Sequence, residues 1–169
     1  MMENKAQIGF EYTLRVINPD GTEDVAQRET VHNLMPIEGI NHMLDVLLAD
    51  AVNNATWYIG LYSGNYTPTA NDTMEDFPGD ASEIDGEYDE TTRVEFVDGT
   101  IASGSVDNTG NEATFTFNST ITVRGGFISS DSAIGATTGV LLSAVKFGSP
   151  KNMTAGASLI VTAGFTVVS

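Results

Sequence analysis

From Phe10 to Val16 apolar and polar positions alternate, with Phe10, Tyr12, Leu14 and Val16 set against Glu11, Thr13 and Arg15. A period of two is the mark of a strand with one face buried. Asn18-Pro19-Asp20-Gly21 reads as a turn, with proline presetting φ and glycine supplying a positive φ. Val25 to Val31 returns as a second, more polar strand, so the chain opens with a hairpin whose polarity suits a sheet edge. Residues 1–9 are read as an arm ahead of it. The period then changes. Ile40, Met43, Leu44, Leu47 and Leu48 follow the i, i+3, i+4, i+7, i+8 spacing of an amphipathic helix across residues 36–50, with Pro36 in its first turn.

Period two resumes at Trp57–Tyr62, where Trp57, Ile59 and Leu61 share one face and Tyr58, Gly60 and Tyr62 the other. Residues 63–90 show neither period; they form a long acidic loop rich in Gly, Thr and Asn, with a helical turn expected near Thr69–Met74. A loop of that length in a compact domain is an external functional excursion or partly ordered. Further strands are expected at Thr92–Val97, Thr100–Val106, Ala113–Phe117 and Ile121–Ile128, the last interrupted by Gly125-Gly126 as a bulge would interrupt it. Val140–Phe147 is apolar on both faces and reads as central, and Leu159–Val167 closes the chain. Eight to ten strands and one helix predict an all-β antiparallel sandwich, a jelly roll, with the helix inserted near residues 36–50.

Length makes this a single domain, since 169 residues bury about two-thirds of their unfolded surface around one core. Charge adds more. With 23 Asp+Glu against 7 Lys+Arg the formal net charge is -16, which opposes nucleic acid and anionic lipid alike. The acids are uneven: eleven lie between Asp72 and Asp98 against Arg93 alone, whereas Gly99–Ser169 balances three acids with three bases. No apolar run approaches the roughly 20 residues that span a bilayer, and the start lacks a basic region followed by an apolar run.

Catalytic patterns do not assemble. There is no cysteine, and the two histidines, His32 and His42, lie ten apart and match no zinc-site spacing. Gly60-Leu61-Tyr62-Ser63-Gly64 has one residue too many before its serine to be a nucleophile elbow. His42 and Asp45, three apart on the helix, read as a solvent-facing polar pair. Weak divalent-cation binding by the 80–89 loop is the one chemical alternative, because Asp80, Glu83, Asp85, Glu87 and Asp89 surround Gly86. Its spacing is not that of an EF-hand, and a solvated acidic loop is the plainer reading. No catalytic residue, metal ligand or cofactor is assigned.

Longer strings carry a resemblance: Asn33-Leu34-Met35-Pro36 leading into Gly39-Ile40-Asn41-His42-Met43-Leu44-Asp45, then Thr56–Tyr62, Asn65-Tyr66-Thr67-Pro68 and Glu87–Arg93. From Asn33 to the C-terminus the chain resembles the small jelly-roll capsid decoration (cement) proteins of tailed bacteriophages. That resemblance implies a non-enzymatic virion structural protein, made in the host cytoplasm, that binds the outer surface of an icosahedral capsid. It would stabilise the shell by bridging major capsid protein subunits, with self-association at a capsid symmetry axis, and without nucleic acid or membrane partners. Tyr58, Tyr62, Tyr66 and Phe77 are the candidate interaction residues, because exposed aromatics are enriched at interface cores; ordinary packing under the long loop is the alternative. A carbohydrate-binding jelly-roll module, using the tyrosines and acids of Tyr62–Asp89, and a tail or fibre component are the competing functions.

Overall fold

The computed structural model describes residues 7–168 as two antiparallel sheets, packed face to face, with two helices. The opening hairpin is β1 (Gln7–Ile17) and β2 (Glu23–His32), and β1 pairs along its whole length with the last strand, β9 (Ser158–Val168). The far side of β9 takes two short strands in succession, β6 (Ala113–Thr116) against Ser158–Val161 and β5 (Ser105–Asp107) against Gly164–Thr166. The first sheet therefore runs β2-β1-β9-β5/β6, and β2 stands at its edge as its polarity suggests. The second sheet runs β4-β3-β7-β8, from β4 (Val94–Glu95) through β3 (Tyr58–Tyr62) and β7 (Ile121–Ser129) to β8 (Leu141–Met153).

Alternation along the strands decides what lies between the sheets. Tyr12, Leu14 and Val16 from β1, Ile59 and Leu61 from β3, and Leu159, Val161 and Ala163 from β9 are buried in one core with Phe115, Val145 and Phe147. Tyr12 brings its hydroxyl with it, and that hydroxyl meets Ser143 Oγ at 2.7 Å. Asn33 donates to the same Ser143 Oγ and accepts from the Phe10 amide, so one satisfied polar chain ties the first sheet to β8. A buried hydroxyl without such a partner would cost about 1–3 kcal/mol.

The outcome departs from the sequence pattern in several places. Gln7, Ile8 and Gly9 are not an arm; they pair with Val168, Val167 and Thr166, while residues 1–6 lie outside the described ones. The expected strand at Thr92–Val97 shrinks to two residues, and that at Thr100–Val106 becomes Ser105–Asp107. β8 is not central but last in its sheet. It is apolar on both faces because both are covered, one by the main core and the other by the 63–90 segment. That segment is no external excursion: Met74, Phe77 and Ala81 pack on Tyr62, Phe127, Leu141 and Ala144 as a second core on the outer face of the sheet. Its helix, α2 (Phe77–Ala81), lies a few residues beyond the expected turn and carries Pro78 in its first turn, where a missing amide hydrogen costs nothing. The bulge near Gly125-Gly126 is present, as a register shift between Val123 and Gly125.

Candidate functional site

The helix α1 (Ile37–Leu48) forms where the 3.6 period predicts it, yet of its predicted apolar stripe only Met43 packs against the core, while Ile40, Leu44, Leu47 and Leu48 stay exposed. Its first amide donates to the Ala70 carbonyl, and Glu38 Oε2 accepts from the Met74 amide at 3.0 Å and the Leu141 amide at 2.6 Å. Gly39 lies against the β8 backbone so closely that a Cβ there would stand 2.7 Å from the Leu142 carbonyl oxygen. These contacts set the rotation of the helix. Gly39 and Met43 face the protein, with His42 and Val46 half-buried beside them, while Ile37, Ile40, Leu44, Leu47 and Leu48 face solvent. At 100° per residue the apolar stripe points about a third of a turn away from the buried direction.

The exposure is large. Leu47 is 73% exposed and Leu48 81%, and the surface continues into Val52 at 89%. Single exposed apolar residues are ordinary, but six on one helix and its exit together are the pattern of a protein-binding surface. Beside it opens a cleft of about 530 Å³ between α1, the 53–57 segment and the neighbouring ends of the two sheets. Leu47, Trp57, Phe96, Ile101 and Phe165 line it, and Asp98 stands among them. Ile101 is 75% exposed, which extends the apolar surface across the mouth. His42 is not paired with Asp45 but meets Asn54, whose Nδ2 lies 3.1 Å from its Nε2, and its ring meets Trp57 edge-on.

The four aromatics singled out from the sequence do not form one surface. Tyr62 and Phe77 are buried, so neither is the exposed aromatic that the interface reading needs. Tyr62 donates to the Val145 carbonyl at 2.9 Å, and its ring meets Phe77 edge-on at 5.7 Å. Tyr66 packs half-buried on the other side of Phe77, and its hydroxyl donates to Asp72 Oδ1 at 2.8 Å. Burial, and then the bond to Asp72, push that hydroxyl up to about 12. Tyr58 is half-buried at the opposite end of β3, opposite Glu95 and Ser129. Their packing under the loop explains three of the four. The sequence did contain the better signal, a helical stripe of which Ile40, Leu44, Leu47 and Leu48 face outward, but nothing in its spacing says which way the stripe turns.

The acidic segment also resolves into structural contacts. Glu83, named as a cation ligand, instead receives Arg93 in a two-bond fork, with Nε to Oε1 and Nη2 to Oε2 both at 2.8 Å. Arg93 spends its other donors on Ser129 Oγ and the Asp131 and Ala136 carbonyls, and its guanidinium lies 5.1 Å over the Phe127 ring. Asp80 sits in α2, and among the described residues no three His, Cys, Asp or Glu side chains converge as a cation site. The outer face of the first sheet carries a polar groove of about 860 Å³, where register puts His32, Glu11, Gly164 and Asp107 in one row. Glu11 there faces His32 at 3.5 Å, and Asp107 accepts from the Thr109 amide.

No protein-family model matches the chain, and no curated protein matches it.

Proposed function

We propose that this chain is a non-enzymatic virion structural protein that binds the outer surface of an icosahedral phage capsid and stabilises it by bridging major capsid protein subunits. The observation that carries the docking part is α1, whose apolar face is held outward by Glu38 and Gly39. A surface of that kind is stable in water only at a cost that burial against a partner removes, at about 25 cal/mol per Å². The resemblance from Asn33 onward supports the identity of the partner, and the -16 net charge favours the outside of a shell over its DNA-filled interior. A ligand that binds only the assembled shell stabilises it by mass action, and bridging subunits adds effective concentration. The glycan-binding alternative is left with Tyr66 alone among the tyrosines of Tyr62–Asp89, because Tyr62 and Tyr88 are buried.

The test adds purified protein to capsids lacking it, counts bound copies by co-sedimentation, and compares the temperature at which DNA escapes. Saturable binding with a higher escape temperature is expected, and Leu47→Ser with Leu48→Ser should abolish both. No saturable binding, or binding without gain in particle stability, refutes the reading.

A further inference from the structure

The patch on α1 and the cleft beside it differ from an ordinary hydrophobic surface in what borders them. Asp45 is exposed on α1 one turn before Leu48, Asp50 follows the helix, and Asp98 lines the cleft with Ile101. Between Arg28 and Arg93 the sequence holds no Lys or Arg, although α1, the 49–57 segment and the whole of the 63–90 segment lie in that span. An apolar groove framed by carboxylates, on a chain of net charge -16, disfavours two occupants. A second copy of the chain would bring the same acids against it, and an anionic lipid surface would bring phosphates. It favours an occupant with apolar anchors and basic flanks.

We infer that the α1 face and its cleft take a cationic amphipathic segment of a protein partner, with apolar side chains seated against Leu44, Leu47 and Ile101 and flanking Lys or Arg side chains set against Asp45 and Asp98. The spacing of the stripe supports a helical occupant: Ile37, Ile40, Leu44 and Leu47 repeat at three, four and three residues, the interval at which one helix seats another. Apolar contact supplies the holding force, and the carboxylates select the partner and speed its approach. This rests on the reading of α1 as a docking face, but not on the partner being a shell protein.

Trp57 is the one tryptophan in the sequence and lines the cleft, so its fluorescence reports on occupancy. The probe is a synthetic amphipathic Leu–Lys helix of about five turns, compared with a Leu–Glu counterpart and with a Ser–Lys peptide of the same charge. The expected result is saturable binding of the Leu–Lys peptide with a blue shift of Trp57, and at least tenfold weaker binding of the other two. Leu47→Ser with Leu48→Ser, and separately Ile101→Ser, should each weaken the Leu–Lys peptide at least tenfold with circular dichroism unchanged, since all three side chains are exposed. Asp98→Asn should weaken it by a smaller factor that vanishes at high salt. Equal binding of the Ser–Lys peptide, equal binding of the Leu–Glu peptide, or full binding by the serine variants overturns the inference. So does sedimentation equilibrium showing the parent chain self-associated and the Leu47→Ser, Leu48→Ser variant monomeric, because a second copy is then the occupant. No shell enters this experiment, so a failure to bind capsids leaves it standing.

Discussion

Arg93→Met tests whether the acidic segment is scaffold. Arg93 is almost wholly buried, its partner Glu83 is 3% exposed at the side chain, and the pair joins the 63–90 segment to β7 and to the 131–136 loop. Methionine keeps much of the apolar stem and its contact with Phe127 but removes the charge, leaving a buried carboxylate whose remaining partner is the Gly135 amide. Breaking a buried pair from one side costs about 3–5 kcal/mol, because the stranded charge stays desolvated. For a domain of this size each kcal/mol lowers the melting temperature by about 2–4 °C, so a drop of about 10 °C is expected. The second arm is Arg93→Met with Glu83→Gln, which leaves no buried charge while its amide oxygen still accepts from Gly135. That double variant should recover at least about 1 kcal/mol of the loss, a coupling a thermal or urea melt resolves. If Arg93→Met melts within about 2 °C of the parent, or the double variant is no more stable than the single, the pair does not hold the segment down. The excursion reading of residues 63–90 would then return.

Three further outcomes follow from the same contacts. Glu38→Ala removes the acceptor shared by the Met74 and Leu141 amides and should cost about 3 kcal/mol by chemical denaturation, with faster amide exchange at both positions. Gly125→Ala should fail to reach the native fold or melt far below the parent, because its Cβ would stand 2.1 Å from the Tyr62 ring and 2.3 Å from the Val145 carbonyl, neither of which has room to retreat. Burial pushes the Glu29 carboxyl up, but the Lys151 ammonium and the Ser149 amide outweigh it and hold the group below its ordinary value of 4.5. A depressed carboxyl contributes stability that is present above the unfolded value and is lost as pH falls through the folded one, so Glu29→Gln should flatten the acid limb of the stability profile below about pH 4.5.

Much of the fold is legible in the chain because it depends on short periods. Alternation at Phe10–Val16 and Trp57–Leu61 tells which side chains share a face, and those side chains do meet in the core. Gly125-Gly126 marks the bulge because the approach of Tyr62 leaves no room for a side chain. The period of α1 gives its existence and length within a residue or two. Periodicity carries no information about what covers a face, and there the sequence stops. Val140–Phe147 reads as central from two apolar faces, yet β8 is last in its sheet, since a folded-back loop buries a strand as well as a neighbouring strand does. Tyr62 and Phe77 read as surface aromatics until the 63–90 segment closes over them. The direction of the α1 stripe is decided by Glu38 reaching amides 36 and 103 residues away and by Gly39 admitting the β8 backbone. Those are long-range contacts, and a helix of any apolar pattern can be rotated by them, so the surface that defines the candidate site exists only once the tertiary structure has set that rotation.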